Sequence, residues 1–207
     1  AACQDHAFSL PAGGDAHAGE EFGDTITLRR IGCVCHVNGL SALVGLRKRR
    51  ACRPYAAMAF RSFMDVALEE ARSAGARGEV PVGAAIVNRA GQVVARAGNR
   101  TREMADPTAH AEILVIRAAC GQLGSERLVD HDLYVTLEPC AMCAAAIAAA
   151  RSRRLYFGAA DAKSGGVVHG ARVFSHAQCH HAPDVFDGIG ARAAETLLKD
   201  FFAGRRS

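Results

Sequence analysis

Two short stretches decide the fold and the chemistry of this chain: HAE at residues 110–112 and PCAMC at residues 139–143. Together they supply one imidazole, two thiols and one carboxylate. A zinc ion held by the imidazole and both thiols keeps a fourth position open to water, as catalytic zinc sites do. Glu112 would then lie beside that water as the proton carrier of a hydrolytic reaction. We therefore predict one zinc ion per subunit, with the ligands His110, Cys140 and Cys143.

The spacing of these residues places them at the starts of two helices. Cys140 and Cys143 are three apart, so they share one face of a helix, and the positive end of the helix dipole favours thiolates there. His110 and Glu112 are only two apart, which would point them to different sides of a helix interior. That pair therefore fits a helix start, and two helix starts would hold one metal ion between them.

Each predicted helix start carries its own signal. Asp106 or Thr108 can cap the exposed N–H groups of the first helix, with Pro107 at its first position. Pro139 suits the first position of the second helix, because a proline lacks the N–H that would be unpaired there. These signals agree with the metal-ligand spacing.

The alternative to a catalytic zinc site is a closed structural site or a coincidence. A closed site needs a fourth Cys or His at a suitable spacing, and it leaves Glu112 as an idle surface carboxylate. Two further clusters, CVCH at residues 33–36 and CHH at residues 179–181, could also bind metal. The first lacks an evident fourth ligand and the second is typical of a surface loop, so we favour the catalytic interpretation of residues 110–143.

Hydrophobic periodicity predicts alternating helices and strands. Apolar residues between positions 59 and 73 recur at intervals of three and four, which predicts an amphipathic helix ended by Gly75 and Gly78. Strands alternating with helices predict an α/β fold with helices on both faces of the sheet and catalytic residues at strand-to-helix junctions. Strands are predicted at residues 81–87, 92–97, 133–137 and 154–159, with a last strand within 167–174, and further helices at 108–119, 139–150 and 191–202.

Composition limits the classes of protein. The 207 residues can bury one good core, and the net charge of +4 permits a polyanionic partner without demanding one. Residues 58–207 hold 18 Lys or Arg against 16 Asp or Glu, so binding of a polyanion such as RNA would have to use local patches. No apolar run has membrane length, and the eight cysteines lack the dense spacing of a secreted disulfide framework. A soluble, cytoplasmic protein without membrane contact is expected.

Residues 1–57 differ from the rest of the chain. Acidic residues are absent from positions 25–64, and positions 47–50 form the basic cluster RKRR. Such a segment could be a transit peptide, a basic arm for nucleic acid or translated upstream sequence. Because Met58 precedes the first predicted helix, we favour a disordered or artefactual extension at 1–57 and a zinc-dependent catalytic domain at 58–207.

Residues 58–206 resemble the bacterial tRNA-specific adenosine deaminases of the TadA type, within the cytidine deaminase-like zinc superfamily. The resemblance rests on EVPVG at 79–83, GNR at 98–100, DPTAHAEI at 106–113 and LYVTLEPC at 133–140. It implies a three-layer α/β/α sandwich with a five-stranded mixed sheet. It also implies hydrolysis of the wobble adenosine of a tRNA anticodon loop to inosine, by a homodimer whose subunits share the tRNA site.

The same resemblance implies a base pocket. Asn99, eleven residues before His110, would hydrogen-bond the flipped base, and backbone groups around Ala109 and residues 137–140 would position it. Pocket walls and core residues look alike in sequence, so each wall residue could instead be simple core. The residues assigned to the pocket are Asn99, Val80, Pro81, Ala109, Leu137 and Glu138.

RNA contacts and rival functions are less determined by the sequence. Basic residues form solvated faces as often as phosphate contacts, and apolar stripes in a last helix are usually core. The main rival is a deaminase of free bases, nucleosides or nucleotides of the guanine, cytidine or dCMP type. A noncatalytic zinc-containing RNA-binding module would lack Glu112. The candidate RNA contacts are Arg151, Arg153, Arg154, Lys163, Phe202 and Arg205.

Overall fold

The structure is a computed structural model that describes residues 60–205. The strands are β1 (Gly83–Val87), β2 (Val93–Gly98), β3 (Asp132–Leu137), β4 (Arg154–Ala159) and β5 (Asp184–Phe186). The helices are α1 (Met64–Ala76), α2 (Ala111–Leu123), α3 (Ala141–Ala149) and α4 (Ala191–Ala203). The strands form one mixed sheet in the order β2-β1-β3-β4-β5. β1 pairs antiparallel with β2 and β3, whereas β4 pairs parallel with β3 and β5.

Helices cover both faces of the sheet. Leu133 belongs to the core shared with α2 and α3, which includes Ile147. Its neighbour Tyr134 belongs to the core on the other face, where Leu68 of α1 and Ala194 of α4 cover the sheet. Successive strand residues point to opposite faces of the sheet, so both faces of β3 are buried. The predicted α/β/α sandwich with a five-stranded mixed sheet is confirmed.

Helix α1 begins later than its apolar pattern predicts. The helix starts at Met64, whose N–H donates to the Ser62 hydroxyl over 3.2 Å. Phe60 lies outside it, with its ring 5.6 Å from that of Tyr156. The helix passes through Gly75, so only Gly78, with a φ of 81°, ends it as predicted.

The predicted last strand within residues 167–174 is wrong. The N–H groups of Val167 and Val168 donate to the Glu138 carboxylate, so they are not available to a neighbouring strand. Val173–Ser175 forms a short 3-10 helix instead. The fifth strand is Asp184–Phe186, whose three residues are all exposed and therefore show no apolar alternation.

The other predicted strands and helices are confirmed, with ends displaced by a few residues. None of the helices described between residues 60 and 205 has the length and apolar character needed to cross a membrane. The predictions made for residues 1–57, including the cluster at 33–36 and the basic run at 47–50, lie outside the described residues.

Candidate active site

A tight turn brings His110 to the start of α2. The Asp106 carboxylate accepts hydrogen bonds from the N–H and the hydroxyl of Thr108, each 2.7 Å long. His110 itself is the N-cap, with extended backbone angles. The prediction that Asp106 or Thr108 caps the helix and that Pro107 opens it is therefore wrong, because the helix starts at Ala111, after the turn. Helix-start positions for His110 and Glu112 are confirmed.

The start of α3 presents both cysteines. Cys140 is the N-cap and Cys143 is the third residue of the helix. Pro139 is not in the first turn as predicted. It precedes the cap, and its carbonyl accepts a 2.8 Å hydrogen bond from the Gly166 N–H. The backbones of Cys140 and Gly165 also form an isolated antiparallel β-bridge. The loop at 161–169 therefore contacts the backbone of Cys140 and that of Pro139 before it.

Three ligand atoms converge between the two helix starts. His110 Nδ1 lies 3.8 Å from Cys140 Sγ and 3.5 Å from Cys143 Sγ. A tetrahedral zinc ion with ordinary Zn–N and Zn–S bonds sets such atoms about 3.6 Å apart. Within residues 60–205 these three form the one group of His, Cys, Asp or Glu residues that could hold a metal ion. The chain therefore presents a preformed site for zinc, and the CHH cluster at 179–181 forms none.

The polarity of the site favours a cation. Hydrogen bonds from Cys143 and from His110 lower the pKa of Cys140 to about 4. The hydrogen bond to Cys140 and burial both raise the pKa of Cys143, and the hydrogen bond with Cys140 raises the pKa of His110. The pair thus favours one ionised thiol, and both thiols would be deprotonated as ligands of a bound zinc ion.

Glu112 is the second residue of α2, and only 3% of it is exposed. Burial raises the pKa of this carboxyl group. Its Oε2 atom is buried without a hydrogen-bond partner among the described residues. A buried acceptor without a partner is costly unless a ligand or water completes it. The carboxylate therefore has unused capacity beside the metal ligands.

A cavity of about 210 Å³ opens onto these groups. Four of the predicted pocket residues line it: Val80, Asn99, Leu137 and Glu138. Pro81 and Ala109 are buried but are not among its lining residues. Four further lining residues were not predicted from the sequence: Val82, Thr101, Asp161 and Ser164. Asp161 follows the C-terminal end of β4, so its position just past a parallel strand was a usable signal.

Asn99 joins the cavity to the metal-binding turn. Its Oδ1 atom accepts a 2.8 Å hydrogen bond from the N–H of Ala111, the first residue of α2. The side chain thus caps α2 from a different part of the chain. The one hydrogen bond of this side chain within residues 60–205 is the one to Oδ1, and Asn99 lines the cavity, so Nδ2 is a donor available beside it.

Comparison with known proteins gives the family. Residues 59–159 match the cytidine and deoxycytidylate deaminase zinc-binding region. A tRNA-specific adenosine deaminase from Agrobacterium fabrum (strain C58 / ATCC 33970) is 60% identical over 144 residues, which cover 70% of this chain and 94% of the relative. The chain belongs to the family of tRNA-specific adenosine deaminases. The prediction of a zinc cofactor is confirmed, because the match includes the zinc-binding region and the three ligand atoms converge.

Solved structures agree with this family. One from biochemical and structural studies of A-to-I editing by tRNA:A34 deaminases is 62% identical, with a TM-score of 0.65, over 66% of this chain and 98% of that one. A guanine deaminase from Nitrosomonas europaea is 26% identical, with a TM-score of 0.60, over 68% of this chain and 82% of that one. The deaminase family and its fold are therefore supported by sequence and by structure.

In this deaminase, Glu138 lines the cavity with a carboxylate that is already fully bonded. Oε1 accepts from the N–H groups of Val167, Val168 and His169, and Oε2 accepts from Asp161 N and His169 Nδ1. Burial alone would raise the pKa of Glu138, but the hydrogen bonds from His169, Asp161 and Val168 outweigh it and hold the pKa at about 2. Its predicted role in binding substrate stays a prediction, and its observed partners are loop residues.

Glu79 plays a comparable part for residues 101–103, of which Thr101 lines the cavity. Its carboxylate accepts hydrogen bonds from the N–H groups of Arg102 and Glu103 and from the hydroxyl of Thr101. Burial raises the pKa of Glu79, but these hydrogen bonds outweigh that effect and lower it overall. The loop that carries Thr101 into the cavity lining is thereby held in place.

Three of the predicted RNA-binding arginines lie far from the cavity of this deaminase. Arg154 pairs with Asp132 at the first residues of β4 and β3, whereas Cys140 and Cys143 follow the last residue of β3, roughly 17 Å along the strand. Arg153 makes a bidentate ion pair with Asp132, with distances of 2.8 and 2.7 Å. Arg151 lies beyond the C-terminal end of α3. These arginines stay predicted RNA contacts, on a surface remote from the subunit's own site.

The remaining candidates are placed differently. Lys163 is exposed and two residues from Asp161, at the rim of the cavity. Phe202 is 47% exposed at the end of α4. Arg205 donates a 2.6 Å hydrogen bond to the Gly78 carbonyl and lies 4.2 Å above the Phe201 ring, so it joins α4 to the loop before Glu79.

Proposed function

We propose that this protein converts the wobble adenosine of a tRNA anticodon to inosine by hydrolysis, with release of ammonia. The observation that carries the proposal is the 60% identity with a tRNA-specific adenosine deaminase across 94% of that relative's length. The site geometry supports it, because it supplies every group that hydrolytic deamination requires. The guanine deaminase of the same fold is only 26% identical.

Glu112 is the proton carrier in this proposal. Zinc, when bound by His110, Cys140 and Cys143, supplies a water of lowered pKa near neutral pH. The buried Glu112 carboxylate accepts a proton from the attacking water and delivers it to N1 of adenine as C6 is attacked. It then carries the second proton to the departing amino group, so that water and adenosine yield inosine and ammonia. Its raised pKa suits a group that must gain and lose a proton.

Asn99 and the cavity walls orient the base. The Oδ1 atom of Asn99 is engaged by Ala111, so its Nδ2 group is the donor that can meet an acceptor on the purine. Val80 and Leu137 supply apolar parts of the cavity wall. The cavity has room for a single base, which therefore leaves its stack before the reaction. A nucleotide in an anticodon loop meets that requirement at lower cost than one in a duplex.

A homodimer is part of the proposal, supported by the exposed side of α3. None of the nine residues of this helix is charged or polar beyond Cys143, and Met142, Ala145 and Ala149 all face outward. A helix that is apolar on all sides is normally covered on all sides. A second subunit would cover the exposed side of α3. Light scattering of the purified protein at micromolar concentration tests the stoichiometry, and a monomer would remove this part of the proposal.

The domain and the compartment complete the proposal. Residues 58–207 form the catalytic domain, because every cavity and metal residue lies after position 79. A cytoplasmic location is proposed because a tRNA substrate is found there.

The deciding experiment incubates zinc-loaded protein separately with an anticodon stem-loop, free adenosine, guanine and cytidine. Inosine should appear in the stem-loop alone. A control stem-loop with guanosine in place of the wobble adenosine should give no product. Turnover of guanine or of free nucleosides at the higher rate would assign the site to a small-molecule deaminase, and no turnover of any substrate would refute a catalytic role.

A further inference from the structure

The loop at residues 161–169 is built around one buried carboxylate. All five hydrogen bonds that Glu138 accepts through its carboxylate come from this loop, and four of the donors are backbone N–H groups. The side chain of Glu138 is 0% exposed. The carboxylate therefore replaces the regular backbone pairing that a loop of this length lacks.

The fit between the loop and the carboxylate is tight. A Cβ atom at Gly165 would come within 2.6 Å of Glu138 Cδ and Oε1. A Cβ atom at Gly166 would come within 2.5 Å of the Ala141 N–H nitrogen, at the start of α3. Two adjacent glycines thus let the loop backbone approach Glu138 and the start of α3 closely. These close approaches pack the loop against Glu138, just past the end of β3, and against the start of α3.

His169 supplies the one side-chain donor to this carboxylate among the described residues. Its Nδ1–H group donates to Glu138 Oε2 over 2.7 Å, and the imidazole is 39% exposed. The imidazole closes the C-terminal end of the loop, while the Asp161 N–H closes the other end on the same oxygen. A single carboxylate oxygen thus joins both ends of the loop.

The loop faces the cavity but carries no metal ligand. Asp161 and Ser164 line the cavity, and the Ser164 N–H and the Lys163 N–H both donate to Asp161 Oδ1. Glu112 and the three ligands lie on α2 and α3 instead. Gly165 and Gly166 hold the backbone beside Cys140, whereas His169 closes the loop three residues further on. Loss of the His169 hydrogen bond should therefore change how the substrate is held more than it changes the metal ligands.

We propose that Glu138 and His169 are positioning residues, which fix the loop at 161–169 as the substrate-facing side of the cavity. This inference rests on the proposed function, because the loop is taken to contact the anticodon substrate. Neither residue touches the reacting atoms. Of these two residues, His169 is the one that can be changed without disturbing the buried side of the loop.

The test compares three variants of the full-length, zinc-loaded protein. His169→Ala removes the donor, whereas His169→Asn keeps an N–H group at the place of Nδ1. His176→Ala is the matched control, because His176 is an exposed histidine whose ring N–H donates to a backbone carbonyl, that of Ala171, outside the loop. Each variant is assayed for zinc content, melting temperature, and kcat and KM on an anticodon stem-loop.

His169→Ala should raise KM roughly 5- to 20-fold, because a hydrogen bond to a charged group is lost at the loop end. Its kcat should stay within about twofold of wild type, since the proton-transfer groups are unchanged. His169→Asn should restore most of KM, and His176→Ala should leave both constants unaltered. Zinc content should be full in all three.

Two results would overturn the inference. One is an unchanged KM in His169→Ala. The other is a fall in kcat or in zinc content with KM unaltered, which would make the pair a general structural support. Glu138→Gln gives a second measurement, because it weakens all five hydrogen bonds at once and should raise KM further than His169→Ala. Inactivity of the wild-type protein on the stem-loop would refute the proposed function itself, and the two failures are thus distinguishable.

Discussion

Two buried glutamates flank the metal site, and they differ in what their oxygens do. Glu112 is two residues after the ligand His110, and Glu138 is two residues before the ligand Cys140. They are 3% and 2% exposed, respectively. Oε2 of Glu112 has no partner among residues 60–205, whereas both oxygens of Glu138 are bonded. Accordingly the pKa of Glu112 is raised by burial and that of Glu138 is lowered to about 2.

The difference shows how equal burial gives unequal chemistry. A carboxylate that accepts several N–H bonds is held as an anion, because protonation would break those bonds. Such a group can fix a loop but cannot shuttle protons. A carboxylate with unused acceptor capacity beside a cavity can gain and lose a proton at little structural cost. The number of hydrogen bonds accepted, rather than burial, thus separates the proposed proton carrier, Glu112, from the proposed scaffold, Glu138.

The largest effect should come from removing a metal ligand, because the carrier depends on the metal and the scaffold does not. Cys143→Ala should lose zinc and all measurable deamination, along with some stability. The hydrogen bonds of Glu138 contain no metal ligand atom, so the amides of Val168 and His169 should keep their slow hydrogen exchange. Metal analysis measures the loss of zinc, and amide hydrogen exchange measures whether the Glu138 hydrogen bonds persist. A full zinc complement in this variant would show that the ligand set is wrong.

Glu112→Gln should have the next largest effect. The amide keeps the shape of the side chain but cannot accept and return protons, so single-turnover deamination should fall about 100- to 10,000-fold. Zinc content should stay at wild-type level because all three ligands remain. Glu138→Gln serves as the matched control and should retain most of kcat. Equal losses of kcat in the two variants would erase the distinction between carrier and scaffold.

Much of this site was predictable from sequence, and the reasons for the rest are specific. The convergence of His110, Cys140 and Cys143 was predictable because metal coordination demands fixed residue types at fixed spacing. The place of Glu112 in the same cavity was predictable from its spacing from His110 at a helix start. The role of Glu138 was not, because its donors are backbone N–H groups, which every residue other than proline has. β5 was missed because three exposed residues carry no periodic signal. The position of Arg153 depends on its pairing with Asp132, which is set by strand register.

Asn99→Asp should give a smaller loss of activity. It tests an amide whose Oδ1 atom accepts a hydrogen bond while its Nδ2 group remains available. Aspartate keeps an oxygen that can accept from Ala111 N–H, so the cap of α2 and the zinc content should persist. It removes the Nδ2 donor, so kcat/KM on the stem-loop should fall roughly 5- to 150-fold. Asn99→Ala, which loses both functions, should also lower the melting temperature. Unchanged kinetics in Asn99→Asp would make Asn99 a scaffold residue like Glu138.

Glu79→Gln should alter stability rather than turnover, because Glu79 is a second fully bonded carboxylate. Loss of hydrogen bonds to a buried anion should cost roughly 1 to 3 kcal/mol of unfolding free energy at neutral pH. The pKa of Glu79 is lowered in the folded protein, so its contribution is present above the usual Glu pKa and is lost as pH falls below it. Denaturant unfolding at several pH values should therefore show a smaller acid-induced loss in the variant. A parallel pH dependence in both proteins would contradict this role.

The smallest effect should follow removal of residues 1–57. The metal ligands, both flanking glutamates and every residue that lines the cavity lie after position 79, and Phe63, Met64 and the rest of α1 are retained by a chain that begins at Met58. Such a chain should fold, bind zinc and deaminate an anticodon stem-loop as the full chain does. If the basic run at 47–50 instead holds phosphates, each lost contact reduces the salt dependence of tRNA binding. Binding curves of the two chains across a salt series decide the matter: superimposable curves support a dispensable extension, and a shallower slope for the shorter chain would assign RNA binding to the basic run.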